Sequence, residues 1–358
     1  MKRILLASAS IVAFAGAAAA EISFNGEAAL GYNDTESVSE TDDDDGFYWD
    51  AELGITFSQE LDNGLTAAAT VTSDVVDNQL EGDIFAEGYV LSLTSETAGL
   101  FFGDTDMAAN LRWDGVSEME QDNFSETDGE TVLRGDFMAY GLDVSLSALV
   151  DDTTDGNIEP VGDTLDQYSV GVAGSFGAFE MSAAYQAEEN DFTQPGDDFV
   201  ADEIFGIAVG TAFAGADVDV AYARNTTTDE DSTGIEVAFP VGPVTLGAFY
   251  VAESAQDDGY GVAVDYVSGA LTVSTAWENV DDSEDWAIEA GYDMGQGLNF
   301  YAGVSDAGDD YYVASTYQLA EGAQLLVSYG VDDNDDSEDE IGDPEYQEGT
   351  TVEVSFEF

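Results

Sequence analysis

The last segment of the chain, TVEVSFEF, alternates without a break. Val352, Val354, Phe356 and Phe358 fall on one face of an extended strand, and Glu353, Ser355 and Glu357 fall on the other. The same period of two recurs upstream. Phe179, Met181, Ala183 and Tyr185 oppose Glu180, Ser182 and Gln186; Val218, Val220 and Tyr222 oppose Asp217 and Asp219. Leu142, Val144 and Leu146 oppose Asp143, Ser145 and Ser147, and Trp286, Ile288, Ala290 and Tyr292 oppose Glu289 and Asp293. No segment shows a helical period of comparable strength, so the chain reads as a succession of strands, each with one apolar face.

Two kinds of connection alternate between these strands. Short ones carry a glycine just before the next strand (Gly64, Gly99, Gly141, Gly177, Gly215, Gly242, Gly269, Gly297 and Gly322), where positive φ makes a compact turn. Long ones are acidic: 33–46, 151–166, 188–203 and 332–349. All five prolines (Pro160, Pro195, Pro240, Pro243 and Pro344) are expected in turns or loops, where no ladder donor is lost. Short turns on one rim and long loops on the other describe an all-β fold, an antiparallel up-and-down β-barrel of the outer-membrane type. With both termini on the short-turn rim, nine short turns imply about 20 strands, within an even-numbered range of about 16–20. Tyr32, Trp49, Phe57, Phe176, Phe179, Phe213, Phe239, Phe356 and Phe358 are then expected in aromatic girdles at the strand ends. A water-soluble β-sandwich would also alternate, but it does not require a repeated asymmetry of short and long connections.

Residues 1–20 read as a secretory signal: Lys2 and Arg3, an apolar stretch centred on Ile11 to Ala15, then Ala18 and Ala20 before the cut. Residues 21–358 would form the barrel. No later run is long and apolar enough for a transmembrane helix, and a closed barrel needs none.

Composition changes the picture of the interior. The chain of 358 residues carries 77 Asp and Glu against 5 Lys and Arg, a formal charge of −72, while 44% of its residues are apolar. With 20 Phe, 17 Tyr and 4 Trp it is too rich in aromatics for a disordered polyanion. Such a charge excludes nucleic acid as a partner. The absence of Cys and His removes thiol nucleophiles, imidazole bases and their zinc sites. Paired carboxylates can cleave glycosides, but among 77 acids proximity carries no information, and no enzyme is expected. Once the signal is removed the only cations are Arg112, Arg134 and Arg224.

Three stretches resemble the general porins of Gram-negative bacteria, most closely the alphaproteobacterial type of purple bacteria. EISFNGEAALGY looks like that family's first strand, and the terminal Phe358 looks like its assembly signal. TAGLFFGDTDMAAN (97–110) looks like the family's fifth strand, which ends in Gly-Asp before a long, inward-folded third loop. The resemblance implies a homotrimer in the outer membrane, surrounded by lipid and lipopolysaccharide and inserted by the barrel-assembly machinery through the C-terminal strand. It also implies a water-filled pore for small hydrophilic solutes, narrowed by the third loop. Members of the family usually have 16 strands, fewer than the turns predict here. Carried onto this sequence, the loop is about 105–130, between a strand at Leu100–Asp104 and one at Thr131–Tyr140. Its acids Asp106, Asp114, Glu118, Glu120, Asp122, Glu126, Asp128 and Glu130 are the constriction candidates. The basic residues that the family often sets opposite are nearly missing. Arg134 has inward parity, and Arg112 lies in the loop itself.

By the same parity Asp136, Glu180, Asp217, Asp219, Glu236, Asp265, Glu289, Asp293, Glu353 and Glu357 point inward, so the lumen should attract cations and repel anions. Acidic loops also suit high salt, where screening shortens to about 3 Å at 1 M. No catalytic residue, cofactor or dedicated metal site is expected. Asp42 to Asp45 and DDNDDSEDE (332–340) could hold calcium or magnesium loosely, but Ser337 stands where a calcium loop needs glycine. Two alternatives remain open. One is an exported, soluble, acidic β-rich surface protein of a salt-adapted bacterium; the other is a substrate-specific channel, for which Trp113 and Phe124 are the only loop aromatics.

Overall fold

The computed structural model describes residues 21–34, 46–77, 85–127, 130–150, 165–189, 198–281, 283–305, 310–331 and 346–358. The signal segment 1–20, Asp128, the acidic runs 42–45 and 332–340, and Pro160, Pro195 and Pro344 lie outside the described residues.

The alternating segments form twenty strands: β1 (Glu21–Asn33), β2 (Gly46–Glu60), β3 (Thr66–Asp77), β4 (Phe85–Thr94), β5 (Ala98–Gly103), β6 (Val132–Ala139), β7 (Leu142–Val150), β8 (Leu165–Phe176), β9 (Phe179–Gln186), β10 (Ile204–Phe213), β11 (Ala216–Asn225), β12 (Glu230–Val241), β13 (Val244–Glu253), β14 (Gly259–Ser268), β15 (Leu271–Val280), β16 (Ser283–Gly295), β17 (Leu298–Ser305), β18 (Asp310–Ala320), β19 (Ala323–Val331) and β20 (Gly349–Glu357). Each pairs antiparallel with its sequence neighbours, and β1 pairs with β20 from Glu27↔Glu357 to Asn33↔Thr351. The sheet is therefore closed and has no free edge. Closure excludes the β-sandwich. Twenty strands spaced about 4.8 Å apart and tilted about 40° make a barrel roughly 40 Å across, too wide for wall side chains alone to fill.

The predicted parity is observed. Phe24, Leu30, Tyr168, Ile207, Val220, Ile235, Val262, Ile288, Val313 and Val352 are exposed on the outside, so the outer wall is apolar. All nine girdle aromatics are exposed there too, Phe176 and Phe213 the most, at 78% and 73%. An apolar belt of this kind is stable against lipid and costly against water.

Eight of the nine predicted turn glycines have positive φ, from 62° at Gly269 to 89° at Gly215. Gly99 is a correction. It lies inside β5, and the β4–β5 turn is Ser95-Glu96-Thr97, held by Ser95, whose backbone N–H and side-chain hydroxyl both donate to the carbonyl of Ala98. The position is still a turn, so the strand count stands. Pro240 is a second correction: it sits within β12, but past the last rung shared with β11 (Asp217↔Ala238), so no ladder donor is missed there. The opposite rim is less uniform than its acidic composition suggests. The β11–β12 and β15–β16 connections span only 226–229 and 281–282.

On the inner wall three aromatic side chains lie across a glycine toward a glutamate on the next strand. Tyr48 on β2 crosses Gly31 on β1 and donates to Glu353 Oε2 on β20 at 2.7 Å, which spans the closure seam. Tyr312 crosses Gly303 to Glu289, and Phe249 crosses Gly261 toward Glu278. A Cβ at Gly31 would stand 2.1 Å from the Tyr48 ring, so only glycine admits the crossing.

Candidate pore constriction

The connection between β5 and β6, residues 104–131, is the longest described and folds into the barrel. Every buried apolar cluster among the described residues is made by this loop against the wall. Met107 packs with Val132 and Leu149; Ala109 and Phe124 pack with Ala184 and Ile204. Val116 and Met119 pack with Ala208, Ala221, Ala223 and Val251. The wall makes room by losing side chains. A Cβ at Gly171 would lie 2.0 Å from the Ala108 carbonyl oxygen, at Gly206 2.5 Å from the Trp113 ring, and at Gly234 2.7 Å from Val116. Inward glycines and alanines of β8 to β12 thus form a bed for the loop.

Wall polar groups pin the loop's backbone. Its one helix, α1 (Ala108–Arg112), is only five residues long, and Met107 at its N-cap supplies no side-chain cap. The barrel supplies it instead. Ala108 N–H donates to Ser147 Oγ at 2.8 Å and Ala109 N–H to Ser169 Oγ at 3.1 Å, satisfying two amides that a helix start leaves orphaned. Farther along, Asp114 N–H donates to Ser182 Oγ, and Ser117 Oγ donates to Glu236 Oε2. On the return limb Glu120 N–H donates to Glu253 Oε1, Gln121 N–H to Ser232 Oγ, and Ser125 N–H to Gln186 Oε1 at 2.8 Å. The tip residue Glu118 has φ +62°, a left-handed conformation that costs a non-glycine residue about 1–2 kcal/mol and is held here by the contacts on either side.

The eight loop acids separate into groups. Asp114, Glu118 and Glu120 are exposed to the lumen. Glu118 is within electrostatic range of Glu120 and of Glu278 on β15. Partial desolvation between loop and wall, and secondarily the Glu120 charge, pushes the Glu118 carboxyl up. Burial also pushes the Asp122 carboxyl up, to about 6, against the opposing hydrogen bond from Trp113 Nε1 at 2.8 Å. Asp106 and Glu126 lie at the loop's base. Asp106 stands 3.8 Å from Arg134 Nη1, and Glu126 N–H donates to Asp198 O on the β9–β10 connection. Glu130 is only 4% exposed and therefore does not face the open lumen. Asp128 lies outside the described residues.

The wall acids share rungs. Gly210 has Glu180 on one side and Asp219 on the other, and Glu236 follows Asp219. Asp217 occupies the next inward position of β11, and Asp265, Ser274, Glu289 and Gly303 share another rung. Arg134 is inward and buried, with Asp136 Oδ1 at 3.2 Å, the Asp106 carbonyl at 2.7 Å and the Phe101 ring at 4.8 Å. Its charge is matched locally and does not oppose the lumen. Arg224 faces outward at the far rim and pairs with Asp229. Glu253 and Glu278 complete the tip and were not among the predicted residues. The alternation of Ser274, Ala276 and Glu278 against Val273, Thr275 and Trp277 carries the signal for the second.

A closed sheet that is apolar outside, acidic inside and crossed by a pinned inward loop defines a membrane channel protein rather than an enzyme. Comparisons narrow the class. A family model for Gram-negative porins matches residues 7–337, so the chain belongs to the Gram-negative porin family, and its place is the outer membrane. Among solved structures, a double mutant of Rh. blastica porin aligns with 94% of this chain and all of its own, at 15% identity and a TM-score of 0.50. A triple mutant of the same porin aligns over the same shares at 14% identity and 0.50. At such identity they show the shared fold. No curated protein matches.

Proposed function

We propose that this porin is a cation-preferring general diffusion channel for small hydrophilic solutes and ions. The observation that carries the reading is the charge around the loop tip. Glu118 and Glu120 meet Glu236, Glu253 and Glu278 from the wall, while Arg134 is neutralised in its own ion pairs. In a confined lumen such a cluster raises local cation concentration and repels anions. A reversal potential measured across a KCl gradient tests the sign, and a value favouring chloride rejects it.

The general rather than specific character rests on Trp113 and Phe124. Trp113 is half-buried and Phe124 is 3% exposed; both pack in the bed, so neither forms a track for sugars. Liposome swelling should slow smoothly with solute size, whereas saturation would favour a specific channel. We further propose export through residues 1–20, assembly through the β20 strand and Phe358 into a homotrimer set among lipid and lipopolysaccharide, and at most loose binding of calcium or magnesium. A heat-dependent oligomer band on gels of membrane fractions tests the trimer.

A further inference from the structure

One cation of the lumen remains uncommitted. Arg112 ends α1, and its position is built rather than incidental. Its Cβ and Cγ lie over Gly171, where an added Cβ would be 2.6 Å and 2.8 Å from them, and its Nε donates to Ser145 Oγ at 2.8 Å. That leaves Nη1 and Nη2, with four N–H donors. Among the described residues no carboxylate oxygen lies within 4.0 Å of them, in contrast to Arg134 and Arg224. Arg112 lines a cavity of about 190 Å³ at the short-turn rim, bounded also by Phe101, Asp136, Met138, Asp143 and the Ser95–Thr97 turn. Asp136 is already paired with Arg134, whose Nε donates to Oδ2 at 3.3 Å and stands 3.2 Å from the buried Oδ1. Asp143 is an exposed inward residue of β7.

The niche thus sets one guanidinium with a free fork near the exposed carboxylate of Asp143, inside a lumen of strong negative potential. A simple anion is repelled by that field, and a simple cation gains nothing from the fork. Only a solute carrying both charges uses both free groups: its carboxylate takes the two Nη groups, and its ammonium turns to Asp143. The volume is below the roughly 300 Å³ at which sites for drug-sized ligands begin, and so fits a solute of a few heavy atoms. We infer that this niche is a binding site for small zwitterions, of the amino-acid class, on the short-turn side of the constriction. The inference rests on the porin reading, because that reading makes the space beside the niche a water-filled lumen.

Equilibrium dialysis of labelled β-alanine against the detergent-solubilised full-length protein tests it. Saturable binding at one site per chain is expected, with propionate and ethylammonium, its two single-charge halves, competing at least about tenfold less well. Arg112→Gln should weaken binding by about tenfold or more, and Asp143→Asn should weaken β-alanine while leaving propionate no weaker. Heat-modifiable gel mobility reports whether each variant is folded, and Arg112→Lys, which keeps the charge but not the fork, serves where the glutamine variant does not assemble. Absence of saturable binding, or binding unchanged in Arg112→Gln or Arg112→Lys, overturns the inference. Conductance of the same preparations in a planar bilayer separates the two readings. A protein that conducts without binding β-alanine sinks only the niche; one that does not conduct sinks the porin reading beneath it.

Discussion

Asp122 shows how a single residue couples the bed to the pore. Its carboxyl is pushed up from 3.8 to about 6 by burial, so between about pH 4 and 6 the folded protein holds a proton that the unfolded chain has lost. Raising the pH through that window therefore costs stability, and the full cost applies above it. Asp122→Asn keeps an acceptor for Trp113 and removes the cost. The variant should be more stable than its parent near neutral pH, by on the order of 2–3 kcal/mol, with the gap closing toward pH 4. Thermal conversion of the folded gel band, followed against pH, measures this. Gly206 makes the converse point. A leucine there would collide with Trp113, whose ring lies 2.5 Å from the position of its Cβ. Gly206→Leu should unseat the third loop while the barrel still assembles, and its single-channel conductance should rise and become noisier. Asp122 was legible in the sequence as a loop acid. Its burial was not, because that depends on which wall glycine the neighbouring Trp113 meets, and nothing in the local pattern says where an inward loop lies.

At the scale of elements the period of two was sufficient for the strands, because each must show one face to lipid and the other to the barrel interior. Glycine was a good but imperfect marker of turns. Ser95 makes the β4–β5 turn with its own hydroxyl, so the reading at Gly99 failed while the turn survived. The acids of the far rim gave no hint that the connections 226–229 and 281–282 are short, since charge reports solvent and not length. The helix α1 is the element least visible beforehand. At five residues it has no stability of its own, and its first amides are satisfied by serines from two wall strands. Ser147→Ala with Ser169→Ala should remove about 1 kcal/mol per lost cap. Hydrogen exchange at the Ala108 and Ala109 amides should speed up accordingly, while strand amides of β14 to β19 keep their protection.

For the whole molecule, closure is the decisive fact. The β1–β20 seam removes the sheet's edges, and Tyr48 bridges it across Gly31 to Glu353. A barrel of twenty strands leaves a lumen that the wall cannot occlude, so the proposed selectivity is assigned to the third loop and to the acids it meets. The acid excess as a whole is compatible with both salt adaptation and conduction; the function proposed above assigns the carboxylates gathered at the loop tip to conduction. We propose that these few groups, rather than the overall charge of −72, set the preference for cations. The most direct measurement is the reversal potential across a KCl gradient for the parent channel and for Glu118→Gln combined with Glu120→Gln. The parent should favour potassium, and the double variant should lose most of that preference although it removes only two of 77 acids. An equal reversal potential in the two channels would contradict the claim.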